Sequence, residues 1–119
     1  MKNRPGYEDR VWIRVRGLEG IFEGRERKVR LGETIFVGRS RECELHPRAA
    51  GNGRESAKRM SRRHLRVSFC NPEHVEIEDL SRNGTFLNGK RIDRVVLRNL
   101  EKEPAVLDLL AGTILIERV

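Results

Sequence analysis

The stretch Leu65-Arg66-Val67-Ser68-Phe69-Cys70-Asn71-Pro72-Glu73-His74-Val75-Glu76-Ile77-Glu78 decides the fold. Leu65, Val67 and Phe69 fall on one side of an extended chain, and Arg66 and Ser68 on the other. That period of two marks a strand with one face buried. Asn71-Pro72 then breaks the run as a turn, after which Val75 and Ile77 alternate with Glu76 and Glu78. Two strands with a turn between them, each apolar on one side only, call for a second layer to cover them.

The same pattern recurs on either side. Val11, Ile13 and Val15 alternate with Trp12, Arg14 and Arg16; Val29 and Leu31 alternate with Lys28 and Arg30. Residues 34–37 are a short β-branched and aromatic run, read as a strand buried on both faces. Residues 95–97 and 113–116 add two more candidates. Gly17, Gly20, Gly24, Gly32, Asn83-Gly84 and Asn88-Gly89 supply turn signals between the runs, Asn-Gly being the strongest hairpin pair. Many short strands at close spacing predict an all-β sandwich of two packed sheets. Residues 104–111 read as a short helix opened by Pro104 or as a strand, and strand is the preferred reading. Residues 47–60 show no periodicity, contain Gly51-Asn52-Gly53, and are long enough for a loop to be functional or mobile.

At 119 residues the chain has the size of one domain, with a core from about residue 12 to the end. No apolar run approaches the roughly 20 residues that span a bilayer, and residues 1–5 lack a signal-peptide character. A cytoplasmic location is the expectation. Cys43 and Cys70 make no disulfide framework and read as small buried side chains. His46, His64 and His74 lack metal-ligand spacing, so no metal and no cofactor is expected.

Charge is unevenly placed. Between Arg39 and Arg66 stand nine Lys or Arg residues (Arg39, Arg41, Arg48, Arg54, Lys58, Arg59, Arg62, Arg63, Arg66) against Glu42, Glu44 and Glu55. Most of the net charge of +7 therefore lies in less than a quarter of the chain. A focused positive patch implies an anionic partner: nucleic acid, a membrane surface, or phosphate on a protein.

Three motifs stand in order: Gly38-Arg39-Ser40, Ser61-Arg62-Arg63-His64, and Asp79-Leu80-Ser81-Arg82-Asn83-Gly84-Thr85 leading to Asn88-Gly89. Each falls where a strand meets a loop, and loops at one end of a sandwich converge. They bring Arg39, Ser61, Arg62, Arg82 and Asn83 toward a single site. Guanidinium forks hold phosphate by paired charge-assisted hydrogen bonds, a serine hydroxyl adds a donor, and Asn can hold a peptide backbone.

In these motifs the chain resembles the forkhead-associated (FHA) family, phosphothreonine-peptide-binding modules on a β-sandwich of about eleven short strands and one of the Arg-cluster readers of phosphorylated motifs. The resemblance implies that Arg39 and Ser61 bind phosphate with help from Arg62, and that Asn83 holds the peptide main chain. It implies architectural roles for Gly38, His64, Gly84 and Thr85. The loop before Ser61, with Lys58 and Arg59, would select peptide residues. The partner implied is a phosphothreonine protein marked by a Ser/Thr kinase, bound by a monomeric signalling module that is not an enzyme. Arg82 departs from the small hydroxyl residue frequent at that place, and the 47–60 loop is longer and more basic than usual.

Two decoys fail on their own chemistry. Gly84 to Arg91 approaches a phosphate loop, but Arg91 replaces the Ser or Thr that would hold magnesium, and no helix follows. Ser61, His64 and Asp79 could suggest a hydrolase triad, yet no nucleophile elbow surrounds Ser61. Nucleic-acid binding is the rival function. Aromatic residues are only 5% of the chain and are not interleaved with the basic loop, so stacking platforms are missing.

Overall fold

A computed structural model describes residues 11–47 and 58–119. Ten strands follow one another among the described residues: β1 (Trp12–Gly20), β2 (Glu26–Arg30), β3 (Thr34–Val37), β4 (Leu65–Asn71), β5 (His74–Asp79), β6 (Phe86–Leu87), β7 (Lys90–Arg91), β8 (Arg94–Leu97), β9 (Ala105–Asp108) and β10 (Gly112–Arg118). They make two sheets, one ordered β2-β1-β10-β9-β6-β7 and the other β3-β4-β5-β8. Every strand pairing is antiparallel. The all-β sandwich expected from the alternation is the observed fold, with ten described strands beside the eleven or so anticipated.

Alternation sorts the side chains. Ile13, Val15, Leu107, Ile114 and Ile116 of the larger sheet meet Ile35, Val37, Leu65, Val67, Phe69, Val75 and Ile77 of the smaller one in a single core. Each such side chain, fully buried, stabilises the fold by about 1.5–3 kcal/mol relative to exposure. A one-residue slip of any strand would exchange its core face for its charged face, so this burial also fixes register. Residues 105–108 pair with both β10 and β6, so the preferred strand reading of 104–111 holds for its middle four residues and no helix forms there.

Four local readings are corrected. β3 is not buried on both faces: Ile35 and Val37 are buried, Phe36 half-buried and Thr34 exposed. It is an edge strand of the smaller sheet, and the layer beneath covers only one of its faces. The Arg63 guanidinium lies 4.5 Å over the outer side of the Phe36 ring. Gly17, read as a turn, lies inside β1 where the pairing with β10 shifts. A Cβ there would stand 1.9 Å from the Phe22 carbonyl oxygen, so glycine is needed for a close backbone approach. Of the two Asn-Gly pairs only Asn88-Gly89 closes a hairpin, with both residues at positive φ, 53° and 79°. Cys43 is buried, but Cys70 is exposed because it falls on the outward phase of β4.

Pairing also fixes where the loops emerge. Val37 at the end of β3 faces Leu65 at the start of β4, and Leu65 faces Asp79 at the end of β5. The segments 38–64 and 80–85 therefore leave the smaller sheet at one end.

Candidate functional site

Beyond β3 the backbone keeps pairing for a few residues. His64 N donates to the Val37 carbonyl at 2.8 Å, Arg39 N to Ser61 O at 3.0 Å, and Ser40 N to Arg62 O at 3.1 Å. Gly38 sits at the crossing: a Cβ there would lie 2.1 Å from Arg62 O and 2.9 Å from His64 N, space that only glycine leaves open. The buried Cys43 thiol also donates to Arg62 O, at 3.1 Å. Burial and the neighbouring Glu44 push this thiol above its ordinary pKa, so it packs and donates as a neutral group.

Arg39 is exposed and, among the described residues, its side chain is anchored at one point, Nε donating to Met60 O at 3.1 Å. Both Nη groups have no partner among the described residues. Ser61 Oγ accepts from Arg82 N at 3.0 Å, which occupies a lone pair and leaves the hydroxyl proton to donate elsewhere. Asn83 Nδ2 donates to Arg59 O at 2.9 Å, and its carbonyl oxygen has no partner among the described residues. Arg39, Arg59, Ser61, Arg82 and Asn83 are thereby brought into one cluster. Arg62 and Lys58 are exposed on the same segment. Arg63, one residue on, turns away to Phe36. Most of the long basic loop, including Arg48, Arg54 and Glu55, lies outside the described residues.

Behind the cluster stands a buried polar layer. The wholly buried His64 ring donates from Nε2 to Gly84 O at 2.9 Å and accepts the Ser61 N–H on Nδ1 at 3.4 Å. Desolvation holds its pKa below the ordinary histidine value, so the ring is the neutral Nε2–H tautomer. Asp79 Oδ1 accepts from Ser81 Oγ at 2.6 Å, Thr85 Oγ1 at 2.8 Å and Ser81 N at 3.1 Å, and Gly84 N donates to Ser81 Oγ at 2.7 Å. Thr85 is fully buried. Both ring nitrogens of His64 are spent on backbone groups, and Asp79 serves Ser81 and Thr85. Ser61 Oγ thus has no histidine base, and the triad arrangement is absent.

Reasoning from sequence passed over three participants: Met60, Ser81 and Arg91. Arg91 Nη2 donates to Arg82 O at 3.5 Å, placing it at the rim of the cluster. Its signal was the Asn88-Gly89 hairpin, which pairs Arg91 with Phe86 and folds it back beside Gly84. The electrostatics divide sharply. On the outer face of the smaller sheet Arg66 and Arg94 pair with Glu76 and Glu78, whereas Arg39, Arg62, Arg82 and Arg91 have no carboxylate partner among the described residues.

The family model described as FHA domain matches residues 35–101, more than half of the chain. The chain belongs to the FHA domain family. No curated protein matches it significantly. The FHA domain of an Arabidopsis thaliana hypothetical protein is 26% identical with a TM-score of 0.73, over 100% of this chain and 95% of that one. An FHA domain solved for a structural and functional analysis of phosphothreonine-dependent FHA domain interactions is 21% identical with a TM-score of 0.67, over 89% and 95%. Mycobacterium tuberculosis EmbR, in complex with a low-affinity phosphopeptide, is 18% identical with a TM-score of 0.63, over 89% of this chain and 24% of that one. The match at 35–101 spans all three motifs, from β3 through the hairpin that carries Arg91.

Proposed function

We propose that this FHA domain is a non-enzymatic module that binds phosphothreonine-containing proteins marked by a Ser/Thr kinase. One observation carries the reading: among the described residues the Arg39 guanidinium is fixed at Nε with both Nη groups open, next to a Ser61 hydroxyl with one lone pair already taken. A dianionic phosphate accepts from a planar fork and a hydroxyl donor at once, whereas a neutral ligand has no use for this arrangement. Arg62 and Arg82 add charge. Asn83, through its carbonyl oxygen, holds a peptide N–H, and Lys58 and Arg59 select acidic residues that follow the phosphothreonine. His64, Gly38, Gly84 and Thr85 keep the loops in place without touching the ligand. The phosphothreonine-dependent interactions studied for one structural neighbour and the phosphopeptide bound by EmbR support the same class of ligand.

The test is titration of one peptide in phosphothreonine and unphosphorylated forms, followed by duplex and single-stranded DNA in the same salt. Binding of the phosphopeptide alone is the expected result. Equal binding of both peptides, or tighter binding of DNA, would overturn the reading.

A further inference from the structure

Arg91 is an exposed arginine without a carboxylate partner among the described residues, and it is held in place. Its guanidinium lies across Gly84: a Cβ on that glycine would stand 3.0 Å from Arg91 Nε, 3.2 Å from Cζ and 3.1 Å from Cε1 of Phe86. The absent side chain thus opens the space the guanidinium occupies, with the Phe86 ring alongside. Nη2 donates to the Arg82 carbonyl at 3.5 Å. The two-residue turn at Asn88-Gly89 fixes the register that sets Arg91 opposite Phe86. A guanidinium held in this way loses little side-chain freedom when an anion arrives. Arg82, the neighbour it touches, is itself exposed and without a carboxylate partner among the described residues.

We infer that Arg91 and Arg82 form a second anion subsite, which takes a further phosphate or carboxylate on the same peptide. This inference rests on the phosphothreonine reading of the Arg39–Ser61 site. Distance sets where the second anion must lie. Arg82 N reaches Ser61 Oγ at 3.0 Å and Arg82 O reaches Arg91 Nη2 at 3.5 Å. With one residue's N–Cα–C–O bonds between them, Arg91 Nη2 is no more than about 11 Å from Ser61 Oγ. An extended peptide advances roughly 3.3–3.6 Å per residue, so the second group stands within three residues of the phosphothreonine. Arg91 comes from the β6–β7 hairpin and Arg82 from the segment after β5, so the subsite is built from other parts of the chain than the Lys58–Arg59 loop.

The experiment uses a set of phosphothreonine peptides, each with one added phosphoserine or glutamate at a position up to three residues away on either side. Titration at low salt should show one position where phosphoserine tightens binding about five- to tenfold and glutamate less, since a phosphate carries more charge and more acceptors. Phosphoserine without glutamate gain identifies phosphate as the ligand; equal gains identify any carboxylate as sufficient. Arg91→Gln should erase the gain, bringing the peptide with the added anion to the affinity of the singly phosphorylated one, whatever the loss of one rim charge does to both. Arg98→Gln is the control for net charge, because Leu97 pairs with Val75, at the end of β5 away from Asp79. No gain at any position, or a gain that survives Arg91→Gln or falls equally with Arg98→Gln, overturns the subsite. Failure to bind even the singly phosphorylated peptide overturns the phosphothreonine reading itself.

Discussion

The buried imidazole of His64 donates from Nε2 to the carbonyl of Gly84 at 2.9 Å, so one side chain ties the β3–β4 segment to the β5–β6 loop. Its other nitrogen takes the N–H of Ser61. The Ser61 backbone and the turn at Gly84 are therefore positioned by one neutral ring. Protonating that ring would put a second hydrogen on Nδ1, directly against the Ser61 N–H.

This gives a pH dependence with a definite sign. Burial lowers the folded-state pKa of His64 below 6.5. The unfolded chain then binds a proton that the folded chain refuses, and stability rises with pH across that window. Stability should be fully present above about pH 6.5 and decline as pH falls from there toward the folded pKa, by at most about 1.4 kcal/mol per pH unit from this group. Thermal unfolding of the wild type and His64→Gln between pH 7.5 and 5.5 checks it. The variant should be less stable at pH 7.5 and show a flatter slope; identical slopes would remove His64 as the cause.

Arg39 should be the strongest single contributor to phosphopeptide affinity. Arg39→Ala should lose a charge-assisted interaction of roughly 1.5–3 kcal/mol, about ten- to a hundredfold in Kd. Arg39→Lys should recover only part of it, because an ammonium forms neither the planar fork nor the Nε anchor on Met60 O. Calorimetry on the three proteins measures this, and an alanine variant with unchanged affinity would contradict the assignment.

Ser61→Ala should separate binding from folding. The variant gives up the hydroxyl donor and leaves Arg82 N without its acceptor, but Arg82 is exposed and water can replace that bond. A Tm close to wild type with affinity reduced about fivefold or more is the expected pair of results. Matched losses in both would mean that the hydroxyl serves the fold.

Gly38→Ala should do the opposite. The new Cβ meets backbone, Arg62 O at 2.1 Å, and a peptide group cannot swing aside as a flexible side chain would. The β3 end and the Ser61–His64 turn must separate, breaking the bonds that join Arg39 to Ser61 and Ser40 to Arg62. A loss of about 1–3 kcal/mol of stability is expected, accompanied by weaker peptide binding because Arg39 moves with the strand end. Chemical denaturation checks the first part, and a wild-type midpoint would show that the backbone accommodates the methyl group.

The contrast between well-read and misread segments has a physical basis. Alternation in β1, β4 and β5 was legible because one face of each meets the core and the other carries charge, so period and burial coincide. The Thr34–Val37 run was over-read as doubly buried because composition does not show that an aromatic residue on the outer face, Phe36, is covered by an arginine side chain and not by a second layer. At the site, the motif residues could be named in advance, but the bonds made by backbone could not. Nothing in the type of Asn83 says that its amide nitrogen will hold Arg59 O, or in Met60 that its carbonyl will anchor Arg39. Such contacts depend on how two loops cross, a property of strand pairing many residues away. Arg91 was passed over for a related reason: it was weighed as a missing magnesium ligand, and its significance lies in the hairpin register.

Finally, the domain should prefer phosphothreonine to phosphoserine, a comparison that isolates a shaped site from a merely basic one. Both peptides present the same dianion to Arg39 and Ser61, so phosphate contacts cancel in the comparison. Only a methyl group remains. Its burial against the loop that carries Asn83 would add about 0.8 kcal/mol by transfer from water. β-Branching restricts χ1 before binding, so threonine has less side-chain freedom to lose than serine. Close packing around the methyl adds dispersion, which serine forfeits by leaving a gap. The sum reaches about 1.5–3 kcal/mol, a preference of roughly ten- to a hundredfold. Four arginines without a carboxylate partner among the described residues, acting only through charge, would bind both peptides alike and lose both alike as salt is raised. Matched titrations at two salt concentrations distinguish the cases. A threonine preference that persists in high salt is the expected result, and equal affinities would reduce the site to electrostatics alone.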